Sequence, residues 1–143
     1  MKAINSIRLV FPSRSANEGF ARITAAAFAA QLDPTMEELS EIKTAVSEAV
    51  TNSIIHGYGD TIGKITLTGK LYSGKLVLQI KDRGRGIEDI PQAMEPLFTT
   101  GNQEERSGMG FTIMETFMDK VKVTSRPGNG TTVTFTKYIR SKQ

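Results

Sequence analysis

The chain has 143 residues, 38% of them hydrophobic and 23% charged, which suits one globular domain over residues 1–143 rather than a disordered segment. It holds no cysteine and one histidine, so a disulfide framework and a thiolate metal site are excluded and a zinc site is disfavoured. The net charge of +3 comes from 18 basic and 15 acidic residues scattered along the chain, a bias that fits an anionic small ligand or an acidic partner and does not suggest direct nucleic-acid binding.

In chain order, residues 4–11 ("INSIRLVF") read as a first strand, closed by Pro12 and Ser13. Phe20, Ile23, Ala27 and Phe28 recur at helical spacing and predict a helix from about Asn17 to Leu32. Its apolar run is too short to span a membrane, and residues 1–6 lack the apolar core of a signal peptide. The expected compartment is therefore the cytoplasm, with no membrane partner. Asp33-Pro34 breaks the helix, and Thr35 with Glu38 forms the pattern of a capping box that opens a long helix to His56.

Two strands follow, "KITLTGKLY" and "KLVLQIKD", joined by a Ser73-Gly74 turn. Residues 82–110 form a long glycine-punctuated stretch with at most one short helix near Pro91. Such a length without clear structure is the place to look for a ligand. A helix over "FTIMETFMD", a strand over "KVKVTSR", a "PGNG" turn and a last strand over "TTVTFTKYI" complete the order. The predicted class is an α/β (α+β) two-layer sandwich, with helices on one face of a mixed, mainly antiparallel sheet.

Four features could carry chemistry. Glu48 and Asn52 lie four apart on the long helix, so they share a face while Val46, Ala49 and Val50 occupy others. An Asn amide oxygen is a hard neutral ligand suited to Mg²⁺, and a carboxylate one turn earlier can take a proton from an attacking hydroxyl; the alternative is a solvated polar stripe. Asp82 ends a strand and precedes Gly84 and Gly86, which serves either a ligand that needs close backbone approach or a simple capped turn. Gly108 and Gly110, after Arg106, stand just before a helix, whose free N–H groups favour an anion. The Lys-Ser/Thr of a P-loop is missing there, and no strand leads into it as in a dinucleotide fold. Thr131 is either a ligand contact or an ordinary strand residue. His56 reads as a helix-end residue near the last carbonyls, and Met109, Met114 and Met118 as core filler.

Taken in order, Glu-x-x-x-Asn, Asp-x-Gly-x-Gly, Gly-x-Gly and Gly-Thr resemble the Bergerat ATP-binding fold over nearly the whole chain. "AVSEAVTN", "PLFTT" and "ERSGMGFTIMETFMD" are similar to the anti-sigma F family, sporulation switch serine kinases. The resemblance implies ATP and Mg²⁺ as ligands. It implies Asn52 on the metal, Glu48 as the catalytic base, Asp82 on the adenine amino group, and Gly84 and Gly86 around the adenine. It further implies Thr131 in support of the adenine, Gly108 and Gly110 on phosphates, and Arg106 in a lid at about residues 96–107. Arg83 and Arg85 depart from the acidic or neutral residues expected in this motif. The implied partners are a sporulation sigma factor, an anti-anti-sigma protein phosphorylated on serine, and a second copy of the chain. An exposed face of the first long helix, including Arg22, is the suggested partner surface. Alternatives are a general-stress-type anti-sigma kinase and a nucleotide-gated sigma-binding module without kinase activity. A histidine-kinase catalytic domain is disfavoured because no helix carrying a phosphoaccepting histidine is present.

Overall fold

The computed structural model describes residues 2–94 and 110–140. Strand β1 (Asn5–Pro12) leads into α1 (Ala16–Ala29), a 3₁₀ turn (Ala30–Leu32) and α2 (Met36–Asn52). A π-helical turn (Ser53–Tyr58) continues α2, followed by β2 (Lys64–Tyr72), β3 (Lys75–Asp82) and the short α3 (Ile90–Ala93). Helix α4 (Gly110–Phe117) and strands β4 (Lys120–Arg126) and β5 (Gly130–Tyr138) complete the described residues. The strands form one sheet in the order β1-β2-β3-β5-β4. The mixed, mainly antiparallel sheet of the sequence reading resolves into antiparallel pairing at every neighbour.

Alternation in the strands buries one face only. Ile65, Leu67 and Leu71 of β2, Leu76, Leu78 and Ile80 of β3, and Val133 and Phe135 of β5 point into the core. Helix α2 meets them with Ile42, Ala45, Val46, Ala49 and Val50, and packs between α1 and α4. This is the expected two-layer arrangement. At about 25 cal/mol per Å², burial of these aliphatic side chains is the main stabilising term.

Helix α1 packs differently from the simplest reading of its spacing. Ala21, Ala25, Phe28 and Ala29 are buried, whereas Phe20 and Ile23 are 56% and 62% exposed. Alanines on the inner side let α1 approach α2 closely, so the larger residues are turned outward. Glu18 of α1 accepts a short hydrogen bond from Ser47 of α2 and pairs with Arg22 at 3.7 Å.

The capping box forms as the sequence predicts. The Thr35 hydroxyl accepts from the Glu38 N–H at 3.0 Å, and Glu38 Oε1 accepts from the Thr35 N–H at 2.8 Å. Glu38 Oε2 also accepts from the Arg140 N–H at 3.1 Å, tying the end of the described chain to the start of α2. At the other side of the core, Lys137 is 7% exposed. Its Nζ donates to Glu41 at 2.9 Å and to the Phe117 carbonyl at 2.6 Å. The ammonium thus neutralises a carboxylate of α2 and satisfies a carbonyl at the end of α4, where cations are favoured.

Burial pushes the Glu38 carboxyl up, but the hydrogen bonds from Thr35 and Arg140 and the charge of Lys137 outweigh it and hold the group below its ordinary value of 4.5. Because the folded value is the lower one, the stabilisation is complete above about pH 4.5 and is lost as pH falls through the folded value. Thermal unfolding followed against pH should find Glu38→Gln less stable than the native chain at neutral pH, by less than about 1 kcal/mol given its partial exposure. The gap should close in acid.

Candidate functional site

A cavity of about 610 Å³ opens where the end of α2, the end of β3 and the β4–β5 turn converge, within the usual range for a small-molecule site. Its lining includes Asn52, Asp82, Gly86, Gly110 and Thr131, five of the residues singled out from the sequence. Glu48 lies outside the described lining, half-buried and one helical turn, about 6 Å, before Asn52. Gly84 is also outside it, directly behind Asp82. Arg106, Gly108 and the expected lid at 96–107 lie outside the described residues.

Asp82 is the centre of the site. It is 3% exposed, in the last position of β3, opposite Ile65 on one side and Thr131 on the other. Its Oδ2 accepts from the Ser53 hydroxyl at 2.7 Å. Its Oδ1 accepts from the Gly84 N–H at 2.9 Å and, at a long 3.3 Å, from the Thr131 N–H. A carboxylate has about four lone-pair directions, so three donors leave room for one more from the cavity side.

The backbone is shaped to make this possible. Helix α2 was expected to run unbroken to His56, but from Ser53 it widens to i→i+5 bonding, with the Gly59 N–H donating to the Ile54 carbonyl at 3.0 Å. In this turn Gly57 lies against Asp82. A Cβ at Gly57 would lie 3.1 Å from the Asp82 carboxylate, and one at Gly84 would lie 2.2 Å from the Gly57 carbonyl oxygen. The Arg85 N–H donates to that same carbonyl at 2.8 Å. His56 still lines the cavity, as does Arg85; Arg83 does not.

The Asp-x-Gly-x-Gly loop is held on its far side as well. Gly86 has φ +78°, and a Cβ there would collide with the Arg126 carbonyl oxygen at 2.0 Å. Tyr58 accepts from the Arg83 N–H at 2.8 Å while donating to the Lys64 carbonyl, which fixes the loop to β2. Ser125 accepts from the Ile87 N–H at 2.8 Å and donates to the Gly130 carbonyl at 2.8 Å. Its remaining contact, 2.9 Å from Thr131 Oγ1, then takes the Thr131 proton, leaving the Thr131 lone pairs as acceptors.

Ser53, Gly57, Tyr58 and Ser125 were missed by sequence reasoning. A signal existed for Ser125, a polar residue at the inward position next in the alternation after Val121 and Val123. Ser53 carried one as well, since it continues the buried Val46, Ala49, Val50 stripe at helical spacing. The site contains several charges close together, with Arg85, Glu88 and Asp89 along one wall. Among the described residues no group of three or more His, Cys, Asp or Glu could hold a metal ion. A cation resting on the Asn52 amide would draw its other ligands from water and from a bound anion, the usual habit of Mg²⁺.

Comparison with known proteins sets this geometry in context. Residues 11–137 match the family described as the histidine kinase-like ATPase domain. An anti-sigma F factor from Thermoanaerobacter sp. (strain X514) is 59% identical over 141 residues, covering 99% of each chain. One from Geobacillus kaustophilus is 57% identical over 136 residues, covering 94% of this chain and 93% of the relative. Among solved structures, the RsbU and RsbW domains of a Mycobacterium tuberculosis protein align with 94% of this chain and 32% of theirs, at a TM-score of 0.68 and 19% identity. A mycobacterial sensor histidine kinase aligns over 71% of this chain and 72% of its own, at a TM-score of 0.56 and 22% identity. These two likenesses concern the fold alone.

Removing the Ser53 hydroxyl leaves a buried carboxylate oxygen short of a donor, so Ser53→Ala should lower stability by about 1–3 kcal/mol in urea denaturation. Gly84→Ala should be more damaging than Ser53→Ala in the same measurement, because the added carbon meets backbone rather than a movable side chain.

Proposed function

The chain belongs to the histidine kinase-like ATPase family, in the company of the anti-sigma F factors, and from that premise we propose that it is an anti-sigma factor that phosphorylates a serine of an anti-anti-sigma protein with Mg-ATP. It is an anti-sigma factor with ATP-dependent activity. The sigma factor it holds is of the sporulation type, and it acts as a homodimer in the cytoplasm. Among the described residues no helix is long and apolar enough to cross a membrane.

The observation that carries the proposal is Asp82, buried at the wall of a nucleotide-sized cavity with room for one more donor. An adenine amino group is such a donor, and Asp82 would accept from it. Gly86, kept bare of a side chain by the nearby Arg126 carbonyl, leaves the wall flat enough for a planar base. Thr131 presents acceptor lone pairs beside Asp82 and supports the same ring, directly or through water. Gly84 acts from behind, through its N–H to Asp82.

At the other end of the site the residues suit a triphosphate. Gly110 opens α4, and the first-turn N–H groups of a helix favour phosphate oxygens; Gly108 and Arg106, outside the described residues, would add the phosphate contacts that the family resemblance implies. Asn52 would hold Mg²⁺ through its amide oxygen, and the metal when bound would supply neutralisation of phosphate charge. Glu48, one turn before Asn52, would accept the proton of the serine hydroxyl as its oxygen attacks the terminal phosphorus and the bond to the diphosphate breaks. Phosphoryl transfer depends chiefly on placing these groups in line, and a single rigid helix carrying both Glu48 and Asn52 does that with few moving parts.

The purified chain is incubated with Mg-ATP and an unphosphorylated anti-anti-sigma protein, and phosphoserine is read by mass spectrometry. Phosphorylation should fall by about 10²–10⁴-fold in Glu48→Gln, the usual worth of a general base. ATP binding without transfer by the native chain would leave a nucleotide-gated sigma-binding module in place of the kinase. Asp82→Asn should weaken ATP by tenfold or more, about 1.4 kcal/mol, and favour it less over GTP, as measured by calorimetry.

A further inference from the structure

Helices cover one face of the sheet; the other carries a pronounced charge pattern. Arg8 of β1 lies beside Thr68, Thr68 beside Gln79, Gln79 beside Thr134, and Thr134 beside Lys122, so one polar row crosses all five strands. The next row ends on Lys120 and includes Lys70, and the row on the other side includes Lys81. Lys64, Lys75 and Arg126 occupy outward positions at strand ends. Eight of the 18 basic residues therefore share this face, and among the described residues no acidic side chain occupies an outward strand position on it. Among the described residues the other eight basic side chains and all twelve acidic ones lie off these outward strand positions. The ion pairs among the described residues, Arg22–Glu18, Lys137–Glu41 and Arg140–Asp119, involve none of the eight.

Between the cations stand six threonines, at positions 66, 68, 124, 132, 134 and 136, whose hydroxyls can donate hydrogen bonds. We propose that this open sheet face binds duplex nucleic acid through its phosphate backbone, without reading sequence. Lysine, arginine and threonine are the side chains that contact phosphates. Val10 and Val77 are the aliphatic residues between the rims, too little for the apolar centre of a protein interface. The outward tyrosines, Tyr72 and Tyr138, stand at strand ends and are covered by Lys75 and Arg140, so no aromatic platform stacks unpaired bases. A five-stranded sheet twists by about 80–100° in total, which fits a curved groove better than a planar lipid surface. A second copy placed face to face would oppose like charges.

The experiment is fluorescence anisotropy of the full chain with a labelled mixed-sequence DNA duplex of about two helical turns, repeated across salt concentrations. Affinity should fall by about a hundredfold or more between about 50 and 200 mM salt. The Lys120→Gln/Lys122→Gln double variant should flatten the plot of log affinity against log salt by about two units, while Lys43→Gln on α2 leaves it unchanged. ATP binding by each variant checks that it is folded. Absence of salt-dependent duplex binding by the native chain overturns the proposal, as does duplex binding that the double variant leaves intact. Equal or tighter binding to phosphatidylserine vesicles would assign the face to anionic lipid instead and overturn it too.

Discussion

Everything around the cavity is arranged to keep one carboxylate buried and in place. A buried Asp without donors costs several kcal/mol, and Asp82 avoids that cost with a hydroxyl from the end of α2, an N–H from its own loop and an N–H from β5. These donors come from three separate stretches of chain, so the group is satisfied only in the assembled fold. The same bonds that stabilise it also orient it. A side chain that is expensive to bury and positioned from three directions is well suited to recognising one ligand atom.

The π-helical turn is the structural consequence. It continues the same face of the helix toward β3, and Ser53 and Gly57, four residues apart, both meet Asp82. One helix thus buries Val46, Ala49 and Val50 in the core and delivers a hydroxyl donor to Asp82 from its end. Glycines follow from such closeness: a methyl group at Gly84 or Gly86 would run into backbone, and one at Gly57 would crowd the Asp82 carboxylate. In this reading the two ends of the site are coupled through α2, which carries Asn52 toward the phosphates and Ser53 toward the adenine in successive residues.

The sheet has two faces of different character, and the division follows from alternation. Inward residues are mainly apolar and meet the helices, with Asp82, Ser125 and Thr131 at the cavity end and Lys137 at the other as polar exceptions. Outward residues are mainly threonine, lysine and arginine. Threonine and valine have high strand propensity, so a threonine-rich face is polar without weakening the sheet, and that freedom leaves its charge open to other uses.

The sequence alone determined the order of the elements, the capping box at Thr35, the two hairpins and the residues that the family resemblance assigns to nucleotide. Those features are local or periodic: strand alternation, a cap three residues long, glycines beside an aspartate. Asn52, Asp82, Gly86, Gly110 and Thr131 were legible because each sits in a short motif, and the fold brings them to one cavity. Tertiary structure alone decided the rest. Ser53, Tyr58 and Ser125 act on partners 29, 25 and 38 residues away, and no short pattern encodes such contacts. Basic residues that look scattered along the chain fall on one face only after β1 pairs with β2 and β5 is inserted between β3 and β4. Periodicity gives the face a residue occupies within its own strand; which strands lie side by side is set by long-range pairing, and that is where the charge pattern arises.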